Sequence, residues 1–100
     1  MNIGKGIKKI LEEKDISQKK LSDETGISET SISLLIKNKT QPRKETLEKI
    51  GNALGVKPEV LLVLSLDKDD VPDTKKDYYD ELWPTIERTL LNMFSEKKEA

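Results

Sequence analysis

Residues 17–37, SQKKLSDETGISETSISLLIK, decide the reading of this chain. Ser17 stands where its hydroxyl can cap free helix amides, and Ile16 before it can staple onto Leu21. Gly26 suits the left-handed backbone that closes a helix, and Ile27 with Ser28 then repeats the staple and cap, with Ile32 as the staple partner. The stretch is thus two short capped helices, Ser17 to Thr25 and Ser28 to about Lys37, separated by a glycine turn. At about 100° per residue, Ile32 and Leu35 point to a core and Ile36 to its margin. Glu29, Thr30, Ser33, Leu34 and Lys37 gather on the opposite side.

Helical spacing continues on both sides of this pair. Upstream, Ile3, Ile7, Ile10 and Leu11 make one face of an amphipathic helix, with Lys5, Lys8, Lys9, Glu12 and Glu13 on the other. Downstream, Asn38 can take the left-handed cap conformation, and Asn38 to Pro42 reads as a polar turn. A fourth helix, Arg43 to Leu54, buries Leu47, Ile50 and Leu54. Gly51 inside it should cost about 1 kcal/mol against Ala, which points to a closely approaching helix. Gly55 ends it, and Pro58 fits the first turn of a fifth helix with Val60, Leu61, Leu62 and Leu64 on its apolar face.

Asp67 to Asp77, DKDDVPDTKKD, reads as an exposed acidic linker and a domain boundary. Beyond it Tyr79, Trp83, Ile86, Leu90 and Met93 follow helical steps, and Leu82, Leu91 and Phe94 broaden the stripe. Pro84 implies that this last helix begins near Asp80 or kinks there. The expected organisation is all-α: a five-helix domain over 1–66, a linker over 67–77 and a C-terminal amphipathic helix over 78–100. A helix with so broad an apolar stripe has to be covered, either by its own domain or by a second copy in a homodimer.

Composition narrows the chemistry. The chain has 100 residues, no Cys and no His, so thiol nucleophiles, imidazole bases and soft metal ligands are missing. Asp69, Asp70 and Asp73 lie in the linker without a phosphate-cradling loop and read as solvated acids, so neither a metal site nor a cofactor is expected. No apolar run is long enough for a membrane span, and Met1 leads into a Lys-bearing amphipathic stretch; the reading is a soluble, cytoplasmic, non-enzymatic protein. Net charge is -1 overall but uneven. Residues 1–66 carry eleven Lys and one Arg against nine acids, for +3, while residues 67–100 carry six bases against ten acids, for -4. A basic half permits a nucleic-acid surface.

Two short capped helices with a glycine turn form the arrangement in which the second helix enters the DNA major groove. A face of short or polar groups with one Lys is thin enough to fit between phosphate walls. Lys37, Lys39, Arg43 and Lys44 surround the following turn and can neutralise phosphates. Gln18 starts the first helix of the pair, where its amide and the helix amides can share a phosphate oxygen. Glu29 can accept from cytosine N4 or simply complement the helix dipole. Leu34 can touch a thymine methyl or be an ordinary exposed Leu.

Over about residues 3–66 the sequence resembles the helix-turn-helix family of phage repressors, Cro proteins and related bacterial regulators (XRE type). The resemblance rests on Ser17-Gln18, Gly26-Ile27-Ser28, Ser31-Ile32-Ser33, Asn38-Lys39-Thr40 with Pro42, and Leu54-Gly55-Val56. It implies a five-helix domain that binds double-stranded operator DNA, usually as a dimer, and most often as a repressor of transcription. It further implies that Ser28, Glu29, Thr30, Ser33 and Leu34 face bases. Gln18 beside Ser17 would hold a phosphate, and the turn containing Lys39 and Thr40 would grip backbone. The chain departs from the pattern in three places. Leu11 and Ile36 replace an Arg-Glu pair of some phage repressors, Gly51 stands where Ala is frequent, and Asn38 where Gly is frequent. The tail after residue 67 lies outside the resemblance, and an alternative role for its acidic helix is to bind a partner protein, as in an antitoxin-like module.

Overall fold

The computed structural model describes residues 2–95. Its helices are α1 (Ile3–Lys14), α2 (Gln18–Thr25), α3 (Glu29–Ile36), α4 (Lys44–Leu54), α5 (Pro58–Leu64) and α6 (Lys76–Phe94). Two one-turn 3-10 segments, Lys68–Asp70 and Asp73–Lys75, precede α6, and there is no strand among the described residues. The fold is all-α, as the periodicity indicates. The last five positions of the expected C-terminal helix, 96–100, lie outside the described residues.

Helix ends follow the local chemistry. Ser17 and Ser28 cap α2 and α3, accepting from the amides of Lys20 at 3.0 Å and Ser31 at 3.1 Å. Gly26, at φ 75°, closes α2. Asn38, at φ 59°, closes α3: its amide donates to the Leu35 carbonyl at 3.0 Å, and the next amide, of Lys39, reaches back to the Leu34 carbonyl at 2.8 Å.

One core gathers Ile3, Ile7, Ile10 and Leu11 of α1 with Leu21, Ile32, Leu35, Ile50, Leu54, Val56, Leu61, Leu64 and, from α6, Leu91. Leu11 belongs to this core and Ile36 packs on its edge, so the two positions that carry charges in some phage repressors are apolar and mutually compatible here. In α5 the buried positions are Leu61 and Leu64, whereas Leu62 is exposed, contrary to its place on the expected apolar face. A helix this short buries a narrower arc than four consecutive apolar residues span.

Close backbone contact fixes α1. A Cβ on Gly4 would lie 2.1 Å from the Leu35 carbonyl oxygen and 2.7 Å from that of Ile36; one on Gly6 would lie 2.4 Å from both the Leu61 carbonyl oxygen and Ser65 Oγ. Only glycine lets α1 rest on the end of α3 and on α5 at once. Gly51 has a similar cause with a different neighbour. The backbone that approaches it is the α4–α5 connection, with the Val56 carbonyl oxygen 2.6 Å from a would-be Cβ, rather than a crossing helix.

The C-terminal helix docks on α1 through residues the sequence pattern assigns to the solvent face. Lys5, Lys9 and Glu13 recur at i, i+4 and i+8 and meet Asp67, Glu87 and Arg88 respectively. Lys9 is the pivot: its ammonium donates to Glu87 Oε2 at 2.7 Å and to the Leu64 carbonyl at 3.0 Å, and lies 5.5 Å over the Trp83 ring. Glu13 is buried, and Arg88 Nη2 donates to its carboxylate. The hydrogen bond to Asp67 raises the Lys5 ammonium above its ordinary range. That contact is therefore fully present below pH 10.5 and is lost only as pH rises through the higher folded value. Helix α6 starts at Lys76 and runs through Pro84, so the expected start near Asp80 is not what the chain does. Pro84 and Asp80 are both exposed, so the carbonyl left without its amide partner is open to water.

Gly4→Ala and Gly6→Ala should each lower stability by about 1–3 kcal/mol through overpacking, although Ala is the better helix former by about 1 kcal/mol. Urea unfolding measures this. Variants as stable as the parent would show that α3 and α5 can withdraw without cost.

Candidate nucleic-acid interface

Helix α3 buries Ile32 and Leu35 and half-buries Ile36, leaving its other side to solvent. Glu29, Thr30, Ser31, Leu34 and Lys37 are exposed and Ser33 is half-buried, so the wheel expected from the sequence is the one present. Leu34, at 38% exposure, is outside the core. The Ser28 hydroxyl accepts from the Ser31 amide and donates to Ser31 Oγ at 2.9 Å, so it is occupied as a cap, and Ser31 shares its position at the start of the helix. Helix α2 crosses behind, with Leu21 fully buried under it, and Ser17, Gln18, Lys19 and Lys20 exposed at its start.

The left-handed Asn38 turns the chain at the end of α3 and brings Lys39, Thr40, Gln41, Pro42 and Arg43 back along it. Ile27, Ser31, Leu34 and Leu35 share one open hollow of about 380 Å³ with Thr40, Gln41, Pro42, Arg43 and Thr46. Gln41 Nε2 donates to Asn38 Oδ1 at 3.2 Å, which ties the turn to its own cap. Gln41 and Thr46 were not singled out by the sequence pattern. Nothing in their residue types marks them; only the return of the chain toward Leu34 does.

The distribution of ion pairs separates two regions. Lys5, Lys9, Lys68, Lys76 and Arg88 all pair with carboxylates of α1, of the connection before α6 or of α6 itself. Lys37, Lys39, Arg43 and Lys44, all exposed, form no salt bridge with any described residue. No acidic residue interrupts 37–44. Four cations therefore border the exposed edge of α3 with no carboxylate partner among the described residues. That edge and this border suit a polyanion with a groove.

The C-terminal candidates divide. Trp83 is buried and stacks on Tyr79 with ring centroids 5.7 Å apart; Tyr79 and Leu90 are half-buried, while Ile86 and Met93 are exposed. The Tyr79 hydroxyl donates to the Leu66 carbonyl at 3.4 Å, and burial pushes its pKa up. Tyr78 and Leu82 are exposed beside Ile86. Among the described residues no group of three His, Cys, Asp or Glu is placed to hold a metal ion, and no helix is long and apolar enough to cross a membrane.

The helix-turn-helix family model matches residues 7–61, more than half of the chain. The chain belongs to this family, in its Cro/C1-type (XRE) branch, a family of DNA-binding regulators. No curated protein and no solved structure gives a match. The matched span begins inside α1 and ends inside α5, so it encloses the capped pair and the basic turn and leaves α6 outside.

Replacing a phosphate-neutralising cation should weaken binding to all DNA sequences alike. Lys39→Ala should therefore flatten the dependence of log binding constant on log salt by about one. A salt titration with a random-sequence duplex tests it, and an unchanged slope would remove Lys39 from the interface.

Proposed function

We propose that the protein is a sequence-specific transcriptional repressor that lays α3 in the major groove and acts by occupying a promoter. The observation that carries this reading is the exposed edge of α3 bordered by four cations without acidic partners. Glu29, Thr30, Ser33 and Leu34 face the bases, with Ser28 contributing as the cap that sets the helix start. Ser17, Gln18, Lys37, Lys39, Thr40, Arg43 and Lys44 hold phosphates on either side.

Affinity and readout then come from different residues. The helix from Glu29 to Ile36 contains no cation, so it adds nothing to general attraction. Its hydroxyls, its one carboxylate and Leu34 can discriminate: a carboxylate accepts from cytosine N4, and an apolar group contacts the thymine methyl. One domain of this size covers one half-site, and two copies cover two half-sites related by a two-fold axis. The homodimer reading rests on the outward apolar residues of α6.

Selection of bound sequences from a random duplex pool, at stated salt, tests the proposal. The expected product is an enriched site with two-fold-related halves about one helical turn apart. Thr30→Ala or Ser33→Ala should then change preference at a single position of each half by about 1–3 kcal/mol. No enrichment, or a loss uniform over all positions, would overturn the assignment of α3 as the reading helix.

A further inference from the structure

Helix α6 carries a second apolar stripe beside the one it buries. Tyr78, Leu82, Ile86 and Met93 are 59%, 53%, 45% and 70% exposed. At about 100° per residue they fall, together with exposed Thr85 and Thr89, within an arc of about 100°. From Leu82 to Met93 this sector contains no charged residue. One flank of the stripe, whose Arg88 also reaches Glu13 of α1, has a sign pattern along the helix. Asp77 and Glu81 lie in its first half and Arg88 in its second, and all are exposed.

We infer that two copies of the chain pair through this stripe, with their α6 helices antiparallel. The inference rests on the repressor reading above, which needs two half-sites, and adds the surface and the orientation. In an antiparallel pair the same flank of each helix meets its counterpart. A pair centred between Thr85 and Ile86 sets Tyr78 against the partner's Met93 and Leu82 against the partner's Thr89. It also brings Glu81 to the partner's Arg88, twice over. Arg88 holds Glu13 through Nη2 and Asn92 through Nε, and its Nη1 edge remains for the second carboxylate. A parallel pair instead lays this flank against the opposite one, where Tyr79 and Leu90 stand, so Arg88 finds no acid facing it.

The size of the stripe sets its strength. With roughly 150–250 Å² available to a large side chain, four that are about half exposed offer on the order of 400 Å² per copy. Two copies bury about 800 Å², short of the roughly 1,200 Å² of a stable standard interface. The free protein is therefore largely monomeric when dilute. Adjacent half-sites raise the effective concentration of one copy to the other, so the pair assembles on DNA.

The native chain has no Cys, so single cysteines report the pairing directly. Full-length Leu82→Cys mixed with full-length Thr89→Cys, under mild oxidation, should give the mixed disulfide dimer at least tenfold over self-joined dimers. Self-joined dimers of each variant without the mixed species would overturn the antiparallel pairing. In sedimentation velocity, Glu81→Arg should weaken self-association about tenfold, and a mixture with Arg88→Glu should restore it in the mixed species. Because Arg88→Glu also faces Glu13, its melting curve is taken first, and the cysteine pair decides the matter if it does not fold. A chain that stays monomeric at every concentration, with and without DNA, would also overturn the pairing. A mixed cross-link without any selected DNA site would leave the pairing standing and remove the repressor reading. A selected site occupied by unpaired monomers would do the reverse.

Discussion

The rest of this structure depends on how closely α1 lies against the ends of α3 and α5. Gly4 faces the Leu35 and Ile36 carbonyls and Gly6 faces Leu61 and Ser65, all nearer than any side chain would permit. A pair of glycines in a helix of twelve residues lowers its intrinsic helicity. The return is positional. Ile7, Ile10 and Leu11 reach the same core as Ile32 and Leu35, which fixes how far α3 can roll and which of its residues stay in water. One edge of α3 is exposed because the opposite edge is clamped by α1.

That clamp also governs the electrostatics. Lys5, Lys9 and Glu13 stand at successive turns of α1 and receive Asp67, Glu87 and Arg88. The acidic tail is thus held on α1 by three ion pairs, backed by the burial of Trp83 and Leu91. Isolated surface ion pairs contribute little, but Lys9 is only 16% exposed and sits over an aromatic ring, where the surrounding dielectric is lower. The chain has a net charge near zero and still keeps exposed cations after α3, because the ion pairs among the described residues join α1, the 67–75 connection and α6 and leave the lysines of the turn alone.

Local features of the fold were legible in the sequence where one element is enough to define them. The caps at Ser17 and Ser28, the left-handed closures at Gly26 and Asn38, and the core pair Ile32 and Leu35 each follow from residues within a few positions of one another. The edge of α3 was legible for the same reason. Contacts distant along the chain were not. The partners of Lys5, Lys9 and Glu13 lie 62, 78 and 75 residues away, so the pattern alone could only place these side chains on the polar face. Trp83 and Met93 look equivalent in a helical stripe, yet one is inside and the other outside, because only the docking direction of α6 distinguishes them. The glycines of α1 carried a usable signal: two of them in an otherwise regular amphipathic helix need a close neighbour to account for them.

The division of labour proposed for the interface follows from charge placement. A recognition helix rich in cations would bind any duplex tightly and dwell on the wrong sequence. Here the cations begin at Lys37, after the helix, and the chain then turns through the left-handed Asn38. In the function proposed above, phosphate contacts from the turn fix register without favouring any base, and the short side chains of α3 discriminate only once that register is set. On that same proposal Glu29 would sharpen the arrangement, since a carboxylate near the DNA backbone is unfavourable unless it finds a donor on a base edge, and that penalty falls on every site that lacks one.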